Sequence, residues 1–270
     1  MSGREILYSV DNRVATVTLH RPDRLNAWTG VMEEEFTGAL RTAAGNPEVR
    51  VIVVTGAGRA FCAGADMSLL DAASRAGSAV AGHQRLEVGF GPEPYRKRYA
   101  WMLGIPKPIV AAVHGPAVGL GFVILLYCDF RLASSDARFS SIFARRGLIA
   151  EYGLAWLLPH LVGWAHAVDI LLTGRMIGAA EAHRIGLVHR LYEPETYAAE
   201  VAAFARDLAD GVSPRSLAVM KEQMLRALEE PLGASLDRAF REMQASLASE
   251  DFREGVAHFL EKRSPAFRGK

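Results

Sequence analysis

The amino-acid sequence predicts an α/β fold. Three continuous apolar runs have the length of strands, and such runs favour strands that are buried on both faces. Helical stretches lie between them, and this alternation of strand and helix is typical of parallel strands connected by crossovers. The three runs are Val49–Thr55, Ile109–Val113 and Cys128–Ala133.

A hairpin and a helix precede the first of these runs. Ile6–Val10 and Val14–His20 predict two strands, and the Asp11-Asn12 pair between them is typical of a turn. The helix that follows carries Phe36 on its apolar face and is predicted to end near Gly45. A short apolar helix is predicted at Phe122–Tyr127, between the second and third runs.

From about Trp164 onward the pattern becomes helical. We expect residues 1–195 to form the core and residues 196–270 to form a helical segment, with a soft boundary that a single domain would also fit. Amphipathic helices at this place either pack on their own core or contact a neighbouring subunit. Four stretches carry apolar residues at helical spacing: Ala198–Leu208, Ser213–Leu228, Ala234–Leu247 and Phe252–Lys262.

The composition indicates an ordinary globular protein. Of 270 residues half are hydrophobic, and 31 Lys and Arg nearly balance 30 Asp and Glu, which argues against a dedicated nucleic-acid binder. The two cysteines imply no disulfide framework, and no apolar stretch is long enough for a membrane span. We therefore expect a cytoplasmic protein that binds neither nucleic acid nor membrane.

Two glycine-rich segments predict backbone sites for negative charge. Ala63-Gly-Ala65 and Gly119-Leu-Gly121 each precede a predicted helix. Small residues let a ligand approach the backbone, and the free N–H groups at a helix start attract an anion. Two such donors aimed at one point could hold an enolate oxygen. From spacing alone, tight loops without a ligand are the more ordinary interpretation.

A dinucleotide site is a weaker interpretation of the segment Thr55-Gly-Ala-Gly-Arg-Ala60. The fingerprint for that site requires Gly or Ala at its sixth position, where this chain has Phe61. Cys62 is conceivable as a nucleophile, although a small apolar residue in a tight loop is the simpler explanation.

Longer motifs around the same loops resemble the enoyl-CoA hydratase/isomerase family, the crotonase superfamily. They are Phe61-Cys-Ala-Gly-Ala-Asp66 and His114-Gly-Pro-Ala-Val-Gly-Leu-Gly121. The resemblance implies a crotonase-like fold of repeated ββα units. It also implies that the amides of Ala65 and Leu120 form an oxyanion hole.

The resemblance extends over nearly the whole chain and implies sites for the coenzyme A (CoA) moiety. Arg21-Pro-Asp-Arg-Leu-Asn-Ala27 is similar to an early CoA-binding loop, in which Arg24 would meet phosphate and Ala27 the nucleotide. The closing helix Gly255–Arg263 would reach CoA with its Phe and Lys, often in an adjacent subunit of a trimer or a dimer of trimers. We count Ala63 and Asp66 with the substrate-binding residues, although Asp66 also suits a helix cap. The Phe and Lys of the closing helix are Phe259 and Lys262.

Glu151 is the candidate for proton transfer. Hydratases of the family place two Glu residues at positions where this chain has Val123 and Phe143, and neither side chain can move a proton. Glu151, in Gly147-Leu-Ile-Ala-Glu-Tyr-Gly153, matches the acid of single-acid enoyl-CoA isomerases. Dienoyl-CoA isomerases pair it with a second acid at the place of Phe143, which disfavours that activity. Without the resemblance, a carboxylate at a helix start near Tyr152 is an equal interpretation.

Three functions therefore stay open at this point. A double-bond shift in an enoyl-CoA thioester requires one carboxylate and an oxyanion hole, and needs no metal or redox cofactor besides the CoA of the substrate. The alternatives are an enoyl-CoA hydratase that uses Glu151 alone and a CoA-binding homologue without catalysis. We expect the stretch Ser68–Arg98 to be the most mobile part of the chain. The acyl pocket is expected to be lined from Ser68–Trp101.

Overall fold

In the computed structural model, which describes residues 4–76 and 95–270, a six-stranded sheet lies at the centre of an α/β fold. Its strand order is β1-β2-β3-β4-β6-β9; β1 and β2 pair antiparallel, and the remaining neighbours pair parallel. A three-stranded sheet of order β5-β7-β8 lies beside it. The strands are β1 (Ile6–Asp11), β2 (Val14–Leu19), β3 (Val51–Gly56), β4 (Ile109–Val113), β5 (Pro116–Val118), β6 (Phe130–Ser134), β7 (Arg138–Ser140), β8 (Ile177–Gly178) and β9 (Arg190–Tyr192).

The helices cover both faces of the large sheet and then continue to the C-terminus. In α1 the hydroxyl of Thr29 accepts a hydrogen bond from the Met32 N–H, which caps the helix start. The helices are α1 (Gly30–Gly45), α2 (Met67–Ala76), α3 (Leu120–Leu126), α4 (Leu154–Val162), α5 (Trp164–Thr173), α6 (Ala179–Arg184), α7 (Pro194–Gly211), α8 (Pro214–Ala227), α9 (Leu232–Leu247) and α10 (Glu250–Glu261).

Both faces of the large sheet are buried, as the continuous apolar runs predict. In β3, Ile52 and Val54 belong to the larger core cluster, whereas Val51 and Val53 belong to a second cluster formed with α7. Successive side chains of a strand point to opposite faces, so a strand that is covered on both sides must be apolar throughout. The predicted α/β fold is confirmed, and its apolar runs are strands covered on both faces.

The parallel pairing of β3 with β4 determines where the glycine-rich loops lie. Ile52, Val53 and Val54 pair in register with Ile109, Val110 and Ala111. Parallel neighbours have their carboxyl ends at one edge of the sheet, so the loops that follow β3 and β4 leave from the same edge.

Several expectations from the sequence differ from the structure. The helix predicted to start near Tyr152 begins at Leu154, because Tyr152 and Gly153 both have left-handed backbone angles that no helix continues. The short strands β8 and β9 are too brief to leave a periodic pattern. The mobile stretch that we predicted at Ser68–Arg98 falls largely on residues 77–94, outside the described residues, and the boundary near residue 195 stays a prediction.

The C-terminal tail is attached to the helical segment through Asp251, which is buried. Its carboxylate accepts hydrogen bonds from the Ser213 hydroxyl (2.6 Å) and from the N–H groups of Arg268 (2.8 Å) and Gly269 (3.0 Å). Among the described residues, no helix has the length and apolar character needed to cross a membrane.

Candidate active site

The two glycine-rich loops are in direct backbone contact. Gly64 has φ +100°, and a Cβ built there would lie 3.0 Å from the Val118 carbonyl oxygen and 3.7 Å from the Gly119 Cα. A Cβ on Gly121 would lie 2.3 Å from the Cys62 carbonyl oxygen. Glycine is therefore required at Gly64 and Gly121 for the two loops to meet.

The Ala65 N–H points away from the segment that contains Trp28. The Trp28 N–H donates to the Gly64 carbonyl at 2.7 Å, and the Asp66 N–H donates to the Trp28 carbonyl at 2.9 Å. Successive amides of an extended segment point to opposite sides. Because the Gly64 carbonyl and the Asp66 N–H both bind Trp28, the N–H of Ala65 points to the other side.

Leu120 is the first residue of α3, so its amide belongs to the turn of a helix whose N–H groups have no partner within the helix. Gly119, at φ +55°, accepts the Val123 N–H at 2.9 Å and donates its own N–H to the Ser140 carbonyl at 3.0 Å. The Leu120 side chain is buried in the larger core cluster, so the fold accommodates a leucine between the two glycines.

Glu151 lies in the turn that precedes α4 and is partly buried. Its carbonyl accepts the Leu154 N–H at 3.1 Å, and the N-cap of α4 is Gly153. The first turn of α4, which lies wholly within the described residues, contains no acidic side chain. The structure therefore does not support the alternative in which this carboxylate belongs to the first turn of a helix.

The two positions at which the family resemblance places the acids of a hydratase are part of the core. Val123 is fully buried in α3, and Phe143 is 5% exposed in the 3₁₀ helix Phe143–Arg146. Both belong to the larger core cluster, against which Ala65 and Tyr152 also pack. The loop of Glu151 and one candidate oxyanion donor therefore border the same apolar cluster.

An aromatic and ionic cluster, not predicted from the sequence, lies beside Glu151. The Tyr152 ring contacts the Tyr99 ring edge-on at 5.0 Å between centroids, and the Arg98 guanidinium lies 5.3 Å from the Tyr152 ring centroid. Arg98 forms a salt bridge with buried Glu33. Burial raises the pKa of Tyr152 to about 12; Arg98 opposes this shift and Glu151 adds to it, so the phenol is protonated at neutral pH.

The early loop is organised by Asn26, which is fully buried. Its amide donates to the carbonyls of Ala57 (2.9 Å) and Ala60 (2.8 Å), and its oxygen accepts the Arg21 N–H at 2.8 Å. Of the residues assigned to CoA, Arg24 is exposed at the end of the 3₁₀ helix Pro22–Arg24. The carbonyl of Ala27 accepts a hydrogen bond from the Arg21 guanidinium at 2.6 Å.

The remaining predicted binding residues have different surroundings. The Ala63 N–H donates to the Leu25 carbonyl at 3.0 Å. Asp66 forms a salt bridge with Arg21 at 2.9 Å, and its hydrogen bond from that guanidinium lowers the pKa of its carboxyl. It also accepts the Ser68 N–H at 3.1 Å, as a helix cap does. Phe259 and Lys262 are exposed at the end of α10.

Cys62 does not suit the role of a nucleophile. The thiol is completely buried, and burial raises its pKa to about 12. A thiol is nucleophilic as the thiolate, which is scarce here at neutral pH. The apolar interpretation of Cys62 therefore fits the structure.

Comparisons with known proteins bear on the family and the fold of the whole chain. The family model described as enoyl-CoA hydratase/isomerase matches residues 9–270. A Rhodobacter capsulatus protein named "Probable enoyl-CoA hydratase" is 38% identical over the full length of both chains. The 1,2-epoxyphenylacetyl-CoA isomerase of Escherichia coli is 34% identical over 98% of both chains. The crystal structure of an enoyl-CoA hydratase from Polaromonas sp. JS666 matches with a TM-score of 0.85 and 30% identity, over 97% of this chain and 99% of that one.

Proposed function

Since the chain belongs to the enoyl-CoA hydratase/isomerase family, we propose that it shifts a double bond of an enoyl-CoA thioester. Glu151 is the proton shuttle in this proposal, and the amides of Ala65 and Leu120 are the oxyanion hole. The names of the relatives include both hydratases and an isomerase, so the choice between the two reactions rests on the residues of this chain.

The chemistry of the shift is proton transfer along one face of the substrate. The Glu151 carboxylate removes a proton from C2 of a 3-enoyl thioester, and the electron pair of that C–H bond moves into a dienolate. The two amides donate hydrogen bonds to the thioester oxygen as it gains negative charge. Glu151 then returns the proton to C4, which leaves the double bond between C2 and C3. Atoms and charge balance without a metal or a redox cofactor, and CoA is part of the substrate.

The observation that supports the isomerase most strongly is the apolar burial of Val123 and Phe143. Adding water to a 2-enoyl thioester uses one group to activate water and one to deliver a proton, work commonly shared by two carboxylates. At these two positions the chain has core side chains instead. Two other carboxylates near the site, Glu33 and Asp66, each form a salt bridge with an arginine.

Binding of the CoA moiety is proposed for the residues that the family motifs mark. Arg24 is exposed and can reach a phosphate as a cation, and Ala27 and Ala63 offer backbone close to the loop of Ala65. Phe259 and Lys262 lie at the exposed end of α10. We propose that they contact CoA in a homotrimer or in a hexamer formed from two trimers.

The test of the proposal compares wild type with Glu151→Gln on a 3-enoyl-CoA and a 2-enoyl-CoA. We expect wild type to conjugate the 3-enoyl substrate and Glu151→Gln to lose at least about 100-fold in kcat, because general base catalysis contributes about that much or more. Glu34→Gln, an exposed carboxylate on α1, is the matched control and retains activity. Full isomerase activity in Glu151→Gln would contradict the assignment.

Hydration is the second candidate, and the name of the Rhodobacter capsulatus relative favours it. Hydration of the 2-enoyl substrate without isomerisation of the 3-enoyl substrate would establish it. Tight acyl-CoA binding with turnover of neither substrate would instead indicate a binding homologue without catalysis.

A further inference from the structure

The hydroxyl of Tyr127 holds the peptide that follows Glu151. It donates a hydrogen bond to the Tyr152 carbonyl at 2.5 Å. Tyr127 is buried and directly follows α3, whose first residue is Leu120. The same short helix therefore carries the proposed oxyanion donor at one end and, at the other end, a hydrogen bond to the residue next to the proposed base.

The turn that presents Glu151 is shaped around this hydroxyl. Tyr152 has φ +54° and Gly153 has φ +74°, two consecutive left-handed residues of which the first is not glycine. A non-glycine residue keeps that conformation only where its surroundings determine it. A Cβ on Gly153 would lie 2.9 Å from the Tyr127 hydroxyl oxygen, so this position allows the close approach of the phenol. Burial raises the pKa of Tyr127 to about 12, which keeps the phenol a donor at neutral pH.

The side chain of Tyr152 also holds this turn, through contacts with other aromatic rings. The Tyr152 ring packs edge-on against Tyr99, whose ring centroid lies 6.2 Å from that of Trp28. Trp28 pairs with Ala65 in a backbone bridge. The residue next to Glu151 is thus connected to Ala65 through packed rings and to Leu120 through α3.

We propose that Tyr127 is a positioning residue, which sets the place of the Glu151 carboxylate relative to the Leu120 amide. Abstraction of a C2 proton requires the base and the oxyanion donors to engage one substrate at the same time, and a misplacement of about 1 Å can cost about 100-fold in rate. This inference rests on the proposed role of Glu151.

The test is Tyr127→Phe, which removes one oxygen and keeps the ring in the core. With a 3-enoyl-CoA we expect kcat to fall about 10- to 100-fold while KM changes less than about threefold. In the Glu151→Gln background Tyr127→Phe should cause no further loss of kcat, because it acts through that carboxylate. Tyr197→Phe, on the opposite face of the large sheet and packed against the second core cluster, is the matched control and should keep wild-type kcat.

Gly153→Ala gives an independent variant, which carries the test if Tyr127→Phe fails to fold. Its methyl group would displace the hydroxyl from the Tyr152 carbonyl, and alanine is also strained at φ +74°, so a loss of kcat at least as large is expected. Wild-type kcat in either folded variant, with Glu151→Gln inactive, would overturn the positioning role and leave the proposed function intact. A fully active Glu151→Gln would instead remove the proposed function, and the positioning role with it.

Discussion

At the scale of single residues, the Leu120 amide can be tested by removing only its hydrogen. Leu120→Pro deletes the N–H at the first helical position, where proline is favoured because that N–H has no partner within the helix. We expect kcat/KM to fall about 100- to 1000-fold, the usual effect of losing one oxyanion donor. Steady-state kinetics on a 3-enoyl-CoA gives this ratio, and circular dichroism verifies the fold.

Leu120→Ala is the control for that variant, since it keeps the amide and shortens the side chain. It removes buried apolar volume from the core cluster, so it should lower the melting temperature. Its kcat/KM should stay close to that of wild type, because the amide is kept. If Leu120→Pro and Leu120→Ala showed equal activity, the Leu120 amide would have no part in stabilising the oxyanion.

The contacts that could be predicted from the sequence are local ones. Close approach of the backbone at Gly64 and Gly121 leaves a pattern of small residues within a few positions, whereas the roles of Ala65 and Leu120 stay predictions. Asn26 has no such pattern, because the carbonyls it binds are those of Ala57 and Ala60. Tyr127 likewise acts on a partner 25 residues further along the chain. Pairs of this kind are brought together by the sheet topology, which a single sequence does not specify.

At the scale of elements, buried Asp251 connects three separate segments. It lies in the first turn of α10, binds the hydroxyl that also caps α8, and accepts two backbone N–H groups of the C-terminal tail. Each of these is a hydrogen bond to a charged acceptor, the stronger class of hydrogen bond in proteins. The carboxylate therefore attaches the tail to the helical segment more firmly than side-chain packing alone would.

Asp251→Ala is expected to detach the tail. Removing the carboxylate leaves the Ser213 hydroxyl and two tail N–H groups without their acceptor, and we expect the free energy of unfolding to fall by about 2–4 kcal/mol. Hydrogen exchange should accelerate at residues 266–270, and chemical denaturation should measure the loss. Glu250→Ala, an exposed carboxylate one residue earlier, is the control and should cost no more than about 1 kcal/mol. Unchanged exchange in the tail of Asp251→Ala would contradict this account.

At the scale of the whole molecule, the apolar stripes of α8 and α9 are exposed in the single chain. Met220, Met224 and Leu228 lie four residues apart along and just beyond α8, and they are all exposed. Large exposed apolar faces on a globular protein mark surfaces that another molecule covers. The apolar residues of the α9 stripe are from 47% to 76% exposed. They are Leu232, Leu236, Phe240, Met243 and Leu247.

We expect these stripes to be covered by further copies of the chain, and in the proposed homotrimer or hexamer the protein in solution should have three or six times its 29.4 kDa mass. Phe240→Asp places a charge in the centre of the α9 stripe, where burial against a neighbour would cost several kcal/mol, and should therefore dissociate the assembly. Ala245→Asp adds the same charge to another face of α9, where it should leave the mass unchanged. Light scattering coupled to size-exclusion chromatography measures the mass of both variants, and a wild-type mass of one chain would contradict the expectation.

Because Phe259 and Lys262 are proposed to reach CoA from a neighbouring subunit, dissociation should also raise KM for the acyl-CoA by a larger factor than it lowers kcat.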